Sequence, residues 1–210
     1  MENAGYTTLS RQSGLAREMQ IVANNIANSA TTGFRAEGLI FSEYVKPVDR
    51  GASLSMGQGN VRHTSFEQGA LTQTGGAFSP SAEGELATYD GFRVLDAGGA
   101  PLFVPPGANI AVSADGTLSA DGAPLGQMGL VRPIDASDME REDGVMFRTE
   151  AGYEPAIGAR VLQGSVENSN VNAVSELARM IEVQRAYELG QSFLESEDER
   201  VRAAIKSLNT

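Results

Sequence analysis

The chain contains no cysteine and no tryptophan, one histidine, and only 6% aromatic residues. Without cysteine there is no disulfide framework and no thiolate zinc site. Lysine and arginine number 16 against 27 acids, a formal net charge of −11. Too few cations are present to neutralise a nucleic-acid backbone, and none cluster into a patch for anionic lipid. No apolar run approaches the ~18 residues that cross a bilayer. The opening residues lack the basic start and apolar centre of a cleaved secretory signal. Catalytic groupings are equally scarce. His63 stands among small and polar residues and reads as a surface side chain, without the base, nucleophile and acid that a Ser-His-Asp site requires. No glycine-rich loop ends in Lys-Ser or Lys-Thr. The acids of residues 135–144 miss the ligand spacing of a calcium loop and read as a solvated turn. The residues therefore point to no enzyme, no cofactor and no metal site.

What is present is enough to fold. Of 210 residues, 41% are hydrophobic, which can bury a sizeable core in one or two domains, and 24 glycines indicate many turns. Near the start, Leu15, Met19, Val22 and Ile26 recur at i, i+4, i+7 and i+11, one stripe of a helix that spans residues 3 to about 28. Gly5 and Gly14 each weaken that helix by ~1 kcal/mol relative to alanine, so it needs a partner. Asn24, Asn25 and Asn28 are poor helix formers that call for hydrogen-bond partners. Ser29, Thr31 and Thr32 loosen the helix, and Gly33 supplies the left-handed residue that ends it. Phe34 follows, and bulky residues from Leu39 to Val45 make an extended arm that closes at Pro47.

The small residues 51–60 read as a linker. From 61 to about 164 the pattern is β. Residues 85–89 and 92–95 flank Asp90-Gly91, and residues 109–113 and 117–119 flank Asp115-Gly116, with Asp121-Gly122 following. Alternating strands around such dipeptides make hairpins or a meander. Residues 160–164 read as a last strand leading out. A second long helix runs from 172 to about 208, capped by Asn172 or Ser175. Along it Met180, Tyr187, Leu194, Val201 and Leu208 recur every seven residues, the line of a coiled-coil seam. The companion line is mixed, with Leu177 and Ile205 apolar but Gln184, Gln191 and Asp198 polar. A narrow seam suits one slender helix, and the N-terminal helix qualifies. The expected fold is α+β: paired long N- and C-terminal helices, coiled-coil-like, with an inserted β-rich domain. Its divisions are 1–33 for the first helix, 34–60 for arm and linker, 61–164 for the β-domain and 165–210 for the second helix.

Two stretches carry a resemblance. Ala23-Asn24-Asn25-Ile26-Ala27-Asn28 with Thr31-Thr32-Gly33-Phe34-Arg35 resembles the N-terminal signature of the bacterial flagellar rod and hook family. Ser169-Asn170-Val171-Asn172, followed by Met180-Ile181-Glu182-Val183-Gln184-Arg185-Ala186-Tyr187, resembles its C-terminal signature. Met1-Glu2-Asn3-Ala4 and Glu67-Gln68-Gly69-Ala70-Leu71 are most like the proximal rod branch, with the distal rod branch as the alternative. One departure concerns a Gly-x-Gly-Phe-Phe strand pair usual in the family. Here Thr74-Gly75-Gly76-Ala77 runs almost directly into Phe78, which implies a shortened β-domain or an omitted stretch.

The resemblance implies a structural subunit of the flagellar basal-body rod, built into the axial drive shaft that transmits torque. It implies a periplasmic location in the basal body and export through the flagellar type III channel without a cleaved signal. Partners would be other rod proteins, copies of itself and the export apparatus, with no nucleic acid and no membrane insertion. The implied assembly residues are Leu15, Met19, Val22, Asn24, Asn25, Ile26, Asn28, Thr32, Gly33 and Phe34 at one end. At the other they are Ser169, Asn170, Val171, Asn172, Met180, Gln184, Arg185, Tyr187, Leu194, Val201 and Leu208. A secreted homo-oligomer, with a β-domain on a coiled-coil stalk, is the reading from another class.

Overall fold

In a computed structural model the described residues are 2–46, 54–74, 78–88, 90–142 and 144–208. Pro47, residues 51–53 of the expected linker, residues 75–77, Tyr89 and Asp143 lie outside them. The chain divides into two units: Met1–Glu67 with Ser169–Thr210, and Gln68–Asn168. Long helices stand at the two ends and the middle is β-rich, an α+β arrangement.

The first unit holds α1 (Glu2–Ala27), β1 (Glu37–Lys46), β2 (Leu54–Thr64) and, from the far end of the sequence, a helix Ala173–Leu208. The buried stripe of α1 is Gln12, Gly14, Leu15, Glu18, Ile21, Val22 and Asn25, which is wider than the four-residue line in the sequence. Met19 and Ile26 of that line are half-buried. The stripe is broad because α1 packs against both the β1–β2 hairpin and the C-terminal helix. The helix ends as its composition requires. Asn28 Nδ2 donates to the Asn24 carbonyl at 2.9 Å. Gly33 takes φ +75°, and Phe34 turns in and is buried at 2% exposure.

β1 and β2 run antiparallel from Glu37↔Thr64 to Lys46↔Leu54, with a bulge at Ile40/Phe41. The expected linker is thus corrected from residue 54 onward: this segment is a strand. Its small residues are what α1 needs beneath it. Ser10 Oγ donates to the Gly57 carbonyl at 2.7 Å, Arg17 Nη1 donates to the Gly59 carbonyl at 3.2 Å, and Gly59 is buried. A composition that resembles a flexible spacer is also one that permits a helix to lie close on a strand.

The second unit is a chain of short strands: β3 (Leu71–Gln73), β4 (Phe78–Pro80), β5 (Leu86–Thr88), β6 (Ile110–Val112), β7 (Thr117–Ala120), β8 (Ala123–Gln127), β9 (Val131–Pro133), β10 (Glu140–Arg141), β11 (Phe147–Arg148), β12 (Tyr153–Pro155) and β13 (Ser165–Glu167). β6-β7-β8 is the meander expected around Asp115-Gly116 and Asp121-Gly122. β4 pairs with β5, and Val94 N–H returns to the Leu86 carbonyl at 2.8 Å, closing the turn at Asp90-Gly91. β9 pairs with β12 and β10 with β11. The core is Leu86, Leu102, Val104, Leu118 and Met128, with Val94, Ile110 and Val112 packed on it. The outer edge of β6 is closed by one side chain: Gln163 Oε1 accepts from Val112 N–H at 2.9 Å and Gln163 Nε2 donates to the Ile110 carbonyl at 3.0 Å.

The strand leading out is β13, residues 165–167, not 160–164. It pairs antiparallel with β3, Ser165↔Gln73 to Glu167↔Leu71. Residues 160–164 do not ladder, because the Gln163 side chain makes the contacts with β6 and Gly164, at φ +75°, turns the chain into β13.

The C-terminal helix is α2 (Ala173–Leu208). Asn172 caps it, its Oδ1 accepting from Val174 N–H and Ser175 N–H, both at 3.1 Å. Covered positions recur at 176, 180, 183, 187, 190, 194 and 197, alternating three and four residues apart. Met180, Tyr187 and Leu194 of the expected line are on this face. Its companion is Glu176, Val183, Gly190 and Glu197; Leu177 and Ile205, the apolar members of the companion line anticipated from sequence, are 53% and 54% exposed. The companion line expected from the heptad period, Leu177 to Ile205, thus faces solvent, and the line one residue before it is covered instead.

Candidate assembly site

The two signature stretches, about 140 residues apart in sequence, meet at the root of the β1–β2 hairpin. Two asparagine side chains hold that root. Asn25, 1% exposed, matches both backbone groups of Glu37: its Oδ1 accepts from the Glu37 N–H at 3.0 Å and its Nδ2 donates to the Glu37 carbonyl at 2.8 Å. The same Nδ2 lies 3.3 Å from Glu176 Oε2 on α2. Asn170 does the corresponding work one residue earlier. Its Oδ1 accepts from Ala36 N–H at 2.6 Å, and its Nδ2 donates to the carbonyls of Ser65 and Glu67 at 3.1 and 2.9 Å. The Ala36 carbonyl accepts from Ser65 N–H at 2.8 Å, and the Phe34 carbonyl from Asn170 N–H at 3.3 Å. An amide side chain carries a donor and an acceptor, so each asparagine mimics a short piece of neighbouring strand. Arg35 adds a bond from Nη1 to the Glu67 carbonyl.

Polar contacts also set the register of the antiparallel pair α1–α2. Gln12 Nε2 donates to the Tyr187 carbonyl at 2.7 Å, in the space left by Gly190, where a Cβ would sit 2.3 Å from that nitrogen. Gln12 Oε1 is buried and has no hydrogen-bond partner among the described residues. Glu18, buried on α1, takes Arg179 Nε at 2.7 Å, and Arg179 Nη1 lies 3.5 Å from Glu182. A buried carboxylate held by an arginine is costly to leave alone, so this pair fixes position more than it adds stability.

The signature residues therefore have separate roles. Leu15, Val22, Asn25 and Phe34 are buried inside the unit, whereas Met19, Ile26, Asn28, Gly33, Ser169, Asn170, Val171, Met180, Tyr187 and Leu194 are half-buried. Asn24, Thr32, Asn172, Gln184, Arg185, Val201 and Leu208 are exposed. The sequence pattern sets Glu18 with Arg11 and Arg17 on the charged face away from the apolar stripe, but Glu18 is buried at 6% exposure; it does not single out Gln12, Ile21, Arg179, Val183 or Gly190 for the seam. Gln12, Glu18, Arg179 and Gly190 carry no apolar periodicity, so the part of the seam they complete is invisible to a hydrophobic template.

Chemistry is sparse among the described residues. An open groove of about 320 Å³ between α1 and α2 has Thr8, Leu15, Ala186, Leu189 and Phe193 in its lining and Arg11 as its ionisable group. No cluster of three or more acidic or histidine side chains could hold a metal ion, and no helix is long and apolar enough to cross a membrane. Displaced carboxyl groups belong to turns in the second unit. Asp138 is held below the ordinary carboxylate range by the Ala151 backbone N–H and the Thr149 hydroxyl, and Asp115 and Asp135 by Thr117 and Ser137.

Residues 6–35 match the family described as flagella basal body rod protein, and residues 162–207 match the C-terminal family of flagellar basal body rod FlgEFG proteins. The chain is 36% identical to the flagellar basal-body rod protein FlgF of Caulobacter vibrioides, across 99% of this chain and 98% of that protein. It is 30% identical to FlgF of Escherichia coli, across 100% and 99%. With the flagellar basal-body rod protein FlgG of Agrobacterium fabrum the identity is 25%, across 90% and 93%. The first alignment runs over 243 positions for a chain of 210 residues, so that relative has segments this chain lacks.

Proposed function

The chain belongs to the flagellar basal-body rod family, and we propose that it is a structural subunit of the proximal rod. The observation that carries this reading is the meeting of the two matched ends: α1 and α2 lie antiparallel in one unit, locked by Asn25 and Asn170. The identity to FlgF proteins over the full length supports the proximal position.

The mechanism is mechanical. The helix pair, coiled-coil-like in its spacing, forms an inner layer of the rod, and apolar positions left open within one subunit are covered by neighbours. A heterologous contact repeated with rotation and rise gives a tube rather than a closed ring. Torque passes along the helix contacts, and the hairpin with its exposed Ile40, Tyr44 and Val45 reaches adjacent subunits. The β-rich unit fixes spacing on the outside. Before assembly the helix ends are only partly formed, which suits passage through the type III export channel into the periplasm with no signal cleaved. The partners are other rod proteins, further copies of this chain and the export apparatus.

Electron cryo-microscopy of isolated basal bodies tests this directly. Density for α1 and α2 in the wall of the lower rod is expected. Density in the upper rod would move the assignment to the distal rod, and absence of the chain from the basal body would overturn the reading.

A further inference from the structure

The two terminal helices differ in length: 36 residues in α2 against 26 in α1, about 54 and 39 Å. Asn25 faces Glu176 and Gln12 faces Tyr187. Carried on residue for residue, this antiparallel register brings the start of α1 level with about Glu197. The covered positions of α2 stop there, and every described residue from 198 to 208 is exposed. The seam itself does not stop. Val201 and Leu208 continue it at 44% and 85% exposure, and Ile205, of the neighbouring solvent-facing line, lies beside them at 54%.

A second face is open on α1, away from its buried stripe. Tyr6, Leu9, Ser13, Ala16, Gln20, Ala23 and Ala27 follow one another at alternating spacings of three and four. Tyr6 and Leu9 are 63% and 55% exposed. No member of this line is charged, which is unusual for the solvent side of a helix.

We propose that the projecting end of α2, residues 201–208, packs antiparallel on the outer face of α1 of a second copy of this chain. The inference rests on the rod reading above and specifies its self-contact. Three observations single out this occupant. The projecting seam is continuous with one that α1 already covers inside the subunit, so the surface is shaped for an antiparallel helix of that kind. The spacings fit: read backwards, Leu208, Ile205 and Val201 step by three and four, as do Tyr6, Leu9 and Ser13 read forwards. The two faces lie on different helices and are not self-complementary, so each copy offers one and accepts the other, a head-to-tail contact that propagates. Pairing α2 with the α2 of an identical neighbour in antiparallel sense is incompatible with helical repetition, which keeps equivalent helices parallel.

The absence of cysteine makes the test clean. In one chain Leu9 lies opposite about residue 192, so it is about 20 Å along the axis from Ile205, beyond the reach of a short bis-maleimide. A strain carries the full chain as Leu9→Cys, as Ile205→Cys, or as both, and its isolated basal bodies are treated with a short bis-maleimide. The double variant is expected to give a ladder of chain multiples while each single variant stays monomeric. Monomers from the double variant, or dimers from either single one, overturn the contact even though the chain is in the rod. If the chain is missing from basal bodies, the rod reading fails on its own, and the purified double variant at high concentration decides: a ladder supports the contact and monomers overturn it.

Discussion

Gly14 of α1 and Gly59 of β2 stand backbone to backbone: a Cβ built on Gly59 would lie 3.1 Å from the Gly14 Cα and 2.9 Å from the Phe41 ring. One built on Gly14 would meet that ring at 2.5 Å. The helix–hairpin contact is made through the absence of side chains. Gly14→Ala gains ~1 kcal/mol of helix propensity but overpacks the contact at a cost of about 1–3 kcal/mol. Net destabilisation is expected, read as a lower midpoint in urea. Gly5, with nothing within 4 Å of its built Cβ, is the control: Gly5→Ala should raise the midpoint.

Asn25→Ala removes two hydrogen bonds to the Glu37 backbone, each worth about 0.5–1.5 kcal/mol. Hydrogen exchange should show faster exchange at Glu37 and in β1. Asn25→Asp keeps an acceptor for the N–H but loses the donor and places a carboxylate near Glu176, so it should destabilise as well. Native protection in either variant would show that the hairpin root is held by something else.

Those two cases also show what the sequence carried. Helix positions, the Gly33 stop, the Asn172 cap and the β6-β7-β8 meander were legible because each has a local cause: periodicity, a left-handed residue, a capping oxygen, a turn dipeptide. Residues 54–60 were misread because nothing local marks a glycine-rich strand whose partner is a helix 40 residues earlier. The buried Gln12, Glu18 and Gly190 were hidden for the same reason. Among the signature asparagines, the need for partners was evident, but only the fold reveals that Asn25 binds backbone while Asn24 stays on the surface.

In the second unit, Asp138 Oδ2 accepts from Thr149 Oγ1 and from the N–H groups of Glu150 and Ala151, all at 2.7 Å. Its pKa is lowered from 3.8, chiefly by the Ala151 N–H. A depressed carboxyl favours the folded state above the unfolded value, and that contribution is lost as pH falls through the folded one. Acid should therefore loosen this turn below pH 3.8, and amide shifts of Glu150 and Ala151 should titrate there. Asp138→Ala should abolish that titration.

Gln163→Ala uncovers the Val112 N–H and Ile110 carbonyl on the edge of β6. The bonds are exposed, so the stability change should be small. An open edge pairs readily with another chain. Light scattering at rising concentration should show more self-association than for the parent chain, and equal scattering would show that the edge is protected otherwise.

The first unit is left at Glu67 and rejoined at Ser169, and the Asn170 amide ties these points together through the Glu67 carbonyl. The second unit opens and closes on the adjacent strands β3 and β13. Everything between is a graft on a closed stem. Its size can change by whole hairpins at this stem while the hydrogen bonds that pair α1 with α2 stay as they are.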